Sequence, residues 1–250
     1  MDHEANYAKL LSLINDALEN CFPRRDIAQE KLFEAMRYSL LAGGKRIRPV
    51  LLIEFCRACG GSPQAALPFA LAIEMIHTYS LIHDDLPCMD NDMLRRGRPT
   101  NHLVYGEGIA VLAGDALLNA AFELMLTEGP SASVPPDRAI EAARVIAEAS
   151  GACGMIGGQI LDIENEGSAV DPERIELTDR LKTGAIIRAS CEAGCILAGA
   201  DTSKRQAAVE YAQSVGLAFQ ITDDLLNLTG TESDLGKPVG SDADRGKMTY

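Results

Sequence analysis

The chain has 250 residues, with 23 Lys and Arg against 36 Asp and Glu, a formal net charge of −13 and a pI near 4.7. An acid excess of that size excludes a protein that works by coating nucleic acid or anionic lipid with basic charge. Hydrophobic residues at 47% and charged residues at 24% are the balance of a folded chain with a substantial core, not of a disordered one.

In chain order the sequence reads as helix nearly throughout. Tyr7 to Cys21 repeats Leu10, Leu11, Ile14 and Leu18 at helical spacing and stops at Phe22-Pro23. Asp26 is placed to cap a second helix running to Leu41, ended by Gly43-Gly44; Pro49 suits the first turn of a third, Val50 to Cys59. Further helices are expected over Ala65–Asp85, Gly108–Glu128, Pro136–Gly151, Pro172–Ala200 and Ser203–Leu228, with loops at 129–136 and 164–171. Neither loop has the length or composition of a linker, so one all-α domain over 1–250 is expected. From Thr229 to Tyr250 the chain turns polar and glycine-rich, and further C-terminal helices are expected to be missing.

Nothing at the start resembles a targeting segment, since Met1-Asp2-His3-Glu4 is acidic and polar. The longest uncharged apolar run, Ala149 to Leu161, is short of the roughly 18–20 residues a membrane span needs. A cytoplasmic protein with no membrane span and no nucleic-acid partner is the expectation. Seven cysteines include Cys56-x-x-Cys59, but no second pair or nearby His completes a metal site. Reduced, mostly buried thiols are expected.

The chemistry begins on the fourth helix. At about 100° per residue Glu74, His77, Leu81 and Asp84 form one stripe on an otherwise apolar helix, with Asp85 beside them. Charge carried into an apolar interior requires a partner. The run Asp84-Asp85-Leu-Pro-Cys-Met-Asp90 separates its outer acids by six positions, about 120° on an ideal helix. Pro87 breaks the helical ladder, and looping out two residues lets Asp84 and Asp90 converge. Converging carboxylates suit Mg²⁺. Arg95, Arg96 and Arg98 follow at once, and acids beside guanidinium groups suggest a diphosphate held from two sides. A second polar stripe, Gln220, Asp223, Asp224 and Asn227, falls at i, i+3, i+4 and i+7 among apolar residues. Gly43-Gly44-Lys45-Arg46-Ile47-Arg48-Pro49 adds a basic loop before a helix N-terminus. Lys182-Thr183-Gly184, Lys237 and Lys247 offer further positive lining.

Together these segments resemble the trans-isoprenyl diphosphate synthases, and most of all the bacterial short-chain type. The resemblance runs through GGKRIRP at 43–49, EMIHTYSLIHDDLPCMDNDMLRRGRPTNH at 74–102, GMIGGQILDI at 154–163, LKTGAII at 181–187, FQITDDLLN at 219–227 and GKPVGSD at 236–242. It implies the isoprenoid synthase fold, about ten helices around a central cavity, acting as a homodimer. It also implies roles. Asp84, Asp90 and Asp223 ligate Mg²⁺, three ions per site with Mn²⁺ as a substitute, and Asp85 supports them. Arg95, Lys182, Thr183, Gln220 and Lys237 hold the allylic diphosphate; Lys45, Arg48, His77 and Arg96 hold isopentenyl diphosphate. The reaction implied is ionisation of the allylic C–O bond, attack by the isopentenyl double bond and loss of a proton, with Asp84, Asp85, Asp90, Arg95, Lys182 and Asp223 as the catalytic set.

Tyr79 and Ser80, just before the first acids, are the expected determinants of chain length. An aromatic ring at Tyr79 shortens the tunnel and points to farnesyl diphosphate, with geranylgeranyl and geranyl diphosphate as alternatives. Asn227 stands where the family usually has Asp, and an amide supplies no negative charge. A catalytically weak subunit that regulates another synthase is the remaining alternative.

Overall fold

The computed structural model describes residues 3–22, 28–130, 133–167 and 171–229, without the side chains of 219, 223, 224 and 226–229. The described chain is helical apart from one short hairpin. It runs through α1 (His3–Asn20), α2 (Glu30–Leu40), α3 (Ile47–Ala58), α4 (Pro63–Asp84), β1 (Leu94–Arg95), β2 (Arg98–Pro99), α5 (Asn101–Tyr105) and α6 (Glu107–Thr127). It continues with α7 (Pro136–Ser150), α8 (Met155–Asn165), α9 (Pro172–Asp179), a π-helical turn (Arg180–Gly184), α10 (Ala185–Leu197) and α11 (Thr202–Thr229).

Local chemistry sets most boundaries. The periodicity of α1 buries Leu10, Ile14 and Leu18. Ser62 caps α4, its hydroxyl accepting from the Ala65 amide at 3.1 Å, with Pro63 in the first turn where a missing N–H costs nothing. α2 starts at Glu30 with Gln29 at its N-cap, so the helix begins later than expected, and Asp26 lies outside the described residues. The helix expected over Pro172–Ala200 is divided: α9 is capped by Asp171, whose carboxylate accepts from the Arg174 amide at 2.8 Å, and a π-helical turn separates it from α10. The hairpin and α5 were not expected, since strands of two residues are too short to alternate visibly.

α4 is the central element. It packs on α3 and α6, with further contacts to α1, α2, α7 and α10. Phe69, Ile73 and Ile76 have no exposed surface, and burial of such side chains stabilises by about 1.5–3 kcal/mol each. α10 lies against α3, α7 and α11. Its crossing with α3 is close enough that a Cβ on Gly194 would stand 2.3 Å from the Leu52 carbonyl. Both α4 and α6 are long and apolar enough to cross a membrane, which a criterion of unbroken uncharged runs overlooked. In α4 that character is accounted for by the core, because 67% of its most apolar window is buried; in α6 the share is 33%.

All seven cysteines are free. Cys56, Cys191 and Cys195 are buried, Cys21 and Cys59 are half-buried, and Cys88 and Cys153 are exposed, so the expected burial holds for fewer than half. Cys59 pairs across helices, 3.6 Å from the Cys195 sulfur, and not with Cys56.

Candidate active site

Asp84 is the last residue of α4, and the chain loops back behind it. The Asp90 amide donates to the Asp84 carbonyl at 2.8 Å, while the Met89 and Asn91 amides donate to the Leu86 carbonyl at 2.9 and 3.0 Å. The looped-out segment contains Pro87 and Cys88, both exposed. Two acids six positions apart in sequence thus occupy adjacent backbone positions, leaving both half-buried at the end of a buried helix. Asp84 also accepts a hydrogen bond from the Gln159 amide of α8. Asp85 turns the other way. Its carboxylate is buried and accepts from Arg95 Nε at 3.0 Å and Nη2 at 2.5 Å. Burial pushes its carboxyl up to about 6, with the Arg95 guanidinium opposing that rise.

Arg95 and Arg96 sit on the hairpin but diverge. Arg96 and Gly97 form its two-residue turn with φ of 55° and 72°, the left-handed pair that matches strand twist. A left-handed arginine is uncommon and marks an over-determined position. What holds it is the loop between α2 and α3: Arg96 donates to the Gly43 carbonyl, and its guanidinium lies where a Cβ on Gly44 would be, 2.7 Å from Cζ. Gly43 and Gly44 have φ of 89° and 117°, so the two glycines supply both the turn and the room. Arg46, Asn91 and Arg96 are the non-glycine residues of positive φ among the described residues; Arg46 and Arg96 lie in these two loops, and Asn91 lies in the loop that follows Asp90.

The basic loop splits by function. Lys45 is exposed, whereas Arg46 turns inward, pairing with Glu74 of α4 at 2.6 Å and donating to Asn15 at 3.1 Å and to the Leu40 carbonyl at 2.8 Å. Sequence reasoning gave no inward role to Arg46. The stripe position of Glu74 was its signal, since a buried acid demands a cation. His77, one turn beyond Glu74, is held well below the ordinary imidazole range by burial and then by Arg48, Arg96, Arg95 and Arg46. His77 therefore lies within the field of all four arginines, most strongly that of Arg48 and then Arg96, and these favour the neutral imidazole.

A third wall comes from α8 and the π-helical turn. Lys182 pairs with Asp162 of α8 at 2.6 Å. Gln159 and Asp162 stand one turn apart, so α8 joins the end of α4 to the turn carrying Lys182. Gly158 makes that contact possible, because a Cβ there would be 2.3 Å from the Lys182 amide nitrogen. Thr183 donates to Gln220 of α11 at 3.4 Å. Gln159 and Asp162 were missed in the sequence, although two polar residues three apart in GMIGGQILDI are the same kind of signal as the stripe on α4. The side chains of Asp223, Asp224 and Asn227, and all of Lys237 and Lys247, lie outside what is described. The apolar setting expected for the second stripe is open here: Leu217, Ile221 and Leu225 are exposed, because no described element packs on that face of α11.

Tyr79 is buried, its ring edge-on to His83 with centroids 5.7 Å apart, and its hydroxyl has no hydrogen-bond partner. Ser80 donates to the His77 carbonyl at 2.9 Å. A cavity of about 30 Å³ under the hairpin is lined in part by Thr78, Asp85, Arg95 and Asn101. A larger one, about 820 Å³, opens between α7, the loop before α8, α9, the π-helical turn, α10 and α11; Arg180, Arg188 and Glu148 line it, and the acids of α4 do not. Among the described residues no three His, Cys, Asp or Glu side chains are grouped to hold a metal ion. Asp84 and Asp90 nevertheless fit Mg²⁺, which is commonly bound by one or two carboxylates together with substrate phosphates.

Hard-oxygen acids thus gather at the end of a buried helix, with Arg95 paired to Asp85 and Lys182 reached through α8. The family model described as polyprenyl synthetase matches residues 29–250, and the chain belongs to that family. It is 52% identical over 220 residues to a farnesyl diphosphate synthase of Geobacillus stearothermophilus, covering 88% of this chain and 74% of that one. It is 48% identical over 241 residues to the large subunit 1 of a heterodimeric geranylgeranyl pyrophosphate synthase of Arabidopsis thaliana, covering 95% of this chain and 64% of that one. Among solved structures, a geranyltransferase of Helicobacter pylori, complexed with magnesium and isoprenyl diphosphate, superposes with a TM-score of 0.88 at 31% identity, covering 100% of this chain and 83% of that one.

Proposed function

We propose that the protein is a Mg²⁺-dependent prenyltransferase joining isopentenyl diphosphate head-to-tail to an allylic diphosphate, dimethylallyl or geranyl, with farnesyl diphosphate as product. The observation that carries this reading is the return of the Asp90 amide to the Asp84 carbonyl at 2.8 Å, which brings the backbones of the two acids together and supports their acting on one cation. In this reading Arg95, Lys182, Thr183, Gln220 and Lys237 hold the allylic diphosphate. Lys45, Arg48, Arg96 and neutral His77 hold isopentenyl diphosphate. Asp84, Asp90 and Asp223 hold Mg²⁺, which when bound supplies positive charge to the departing diphosphate. The cations of the chain do the same work from the other side, aimed where negative charge develops as the allylic C–O bond opens. Because Arg95 and Arg96 point to different loops, the two substrates are kept apart while their reacting ends meet.

Tyr79 forms the floor of the tunnel in this reading, a role that its burial and its edge-on packing against the His83 ring support. The second reading, a geranylgeranyl product, is favoured by the 48% identity to a relative of that name. Incubation with radiolabelled isopentenyl diphosphate, dimethylallyl diphosphate and Mg²⁺, followed by chromatography of the dephosphorylated products, separates them. A C15 alcohol is expected, and Tyr79→Ala is expected to shift it to longer chains. An unchanged product from that variant removes Tyr79 from the argument, and no consumption of isopentenyl diphosphate sinks the prenyltransferase reading.

A further inference from the structure

Arg95 is held by two acids, of which only Asp85 belongs to the acidic run at the end of α4. The other is Asp92, in the loop that leads into the hairpin. Its Oδ2 lies 3.1 Å from Arg95 Nη2, and its carboxylate is nearly as buried as that of Asp85. Asp85 takes Nε and Nη2 through one oxygen, and Asp92 takes Nη2 from a second direction. Nη1 is the remaining polar edge, on a side chain that keeps 28% of its surface exposed. One carboxylate fixes where a guanidinium sits but lets it pivot about that contact. A second one, placed off the first axis, fixes which edge faces outward.

Asp92 is itself held. The Thr100 hydroxyl donates to its carbonyl at 2.8 Å, and the Thr100 amide donates to the Met93 carbonyl at 3.1 Å, closing the base of the hairpin. The next arginine leaves in another direction, to the Gly43 carbonyl. The side-chain hydrogen bonds that fix the pivot of Arg95 thus come from Asp85 and Asp92, whereas Arg96 is held by the loop that carries Lys45 and leads into Arg48.

We infer that Asp92 is a positioning residue for Arg95, holding the guanidinium with Nη1 toward the allylic diphosphate and leaving the isopentenyl subsite untouched. This rests on the proposed role of Arg95 as an allylic diphosphate ligand. The test measures kcat and the KM of each substrate for the full chain with Mg²⁺, in wild type, Asp92→Ala, Asp92→Asn, Arg95→Lys and the Asp92→Ala/Arg95→Lys double variant. Asp92→Ala is expected to raise the KM for dimethylallyl diphosphate roughly ten- to a hundredfold, the scale of a hydrogen bond to a charged group. The KM for isopentenyl diphosphate should stay within about twofold.

Asp92→Asn, whose amide oxygen still accepts from Nη2 but carries no charge, should fall between. In the Arg95→Lys background, loss of Asp92 should add less than about twofold, because a residue acting through Arg95 has nothing left to position. Equal factors in the two backgrounds overturn the inference. So does a parallel change in both KM values together with a lowered Tm, which marks a merely structural role. If Asp92→Ala does not fold, calorimetric binding of inorganic diphosphate with Mg²⁺ to Asp92→Asn gives the same reading, and unchanged affinity there also overturns it. An Arg95→Lys variant with wild-type allylic KM removes the role of Arg95 itself, and the inference with it.

Discussion

The Arg46–Glu74 pair shows how much depends on one backbone dihedral. Arg46 has a φ of 49°, and the side chain is 1% exposed against 2% for Glu74. That left-handed residue turns one cation of the basic loop into the interior, where it ties α1, the end of α2 and α4 together. Removing one partner leaves a desolvated charge, so Arg46→Met should destabilise by about 3–5 kcal/mol, read from urea unfolding. Arg46→Met/Glu74→Leu should recover much of that loss, because an apolar pair has no charge to strand. Equal losses in both variants would show the carbonyl and Asn15 contacts, and not the ion pair, to be what matters. The sequence announced that Glu74 required a partner, but it did not say which of three neighbouring cations would supply it, since that is decided by φ at position 46. Cys88 makes the same point from outside. Expected among buried thiols, it is exposed in the segment looped out between Asp84 and Asp90. Its alkylation should therefore be fast in the free protein and slowed by inorganic diphosphate with Mg²⁺, whereas buried Cys191, whose thiol is pushed up to about 12 by burial, should react only on unfolding.

At the scale of elements, helix positions were legible wherever the period was unbroken and a cap or proline marked the end, as in α4 and α7. They were not legible at the π-helical turn, because one inserted residue leaves composition and local hydrophobicity unchanged. α8 packs against that turn so closely that Gly158 has no room for a side chain. Gly158→Ala would place a Cβ 2.6 Å from Lys182 Cα as well as against its amide, and backbone cannot swing aside as a flexible side chain can. The variant is expected to lose about 1–3 kcal/mol, the usual cost of overpacking, and to weaken allylic diphosphate binding through Lys182. Gly157→Ala is not a neutral control, since its Cβ would meet the Ala152 carbonyl at 2.2 Å. Gly108→Ala, with nothing within 4 Å, serves that purpose. If Gly158→Ala behaves like Gly108→Ala, the close approach of α8 has no energetic weight. The division of the basic loop and the meeting of Arg96 with Gly43 belong to this scale too. Both motifs were visible separately, but that a hairpin turn inserts into a glycine turn more than fifty residues away is a tertiary fact without a local signature.

For the whole molecule, the question left by the fold is what covers α6. The helix passes the length and composition test for a membrane span, yet only 33% of its most apolar window is buried. Leu112 and Leu126 are 58% and 62% exposed, and Leu103 and Val104 of the adjoining α5 are exposed as well. A bilayer is a poor fit, because Asp115 and Glu123 are also exposed on α6 and a charge at the centre of a span costs about 2.5–3.5 kcal/mol. A protein partner can hydrogen-bond or pair such residues, or leave them wet, where lipid cannot. A second copy of the chain is the simplest occupant, since a two-fold axis along α6 would set each apolar face on its twin. If the homodimer that the sequence resemblance implies exists, it is expected to form through α5 and α6. Leu112→Glu should convert it to a folded monomer, seen as a halved mass in sedimentation equilibrium with unchanged helical circular dichroism. Leu225→Glu, on the exposed face of α11, should leave the mass unaltered. A wild-type chain that sediments as a monomer at micromolar concentration would remove the dimer and leave the exposed leucines of α6 to a different partner, as expected of an exposed apolar surface.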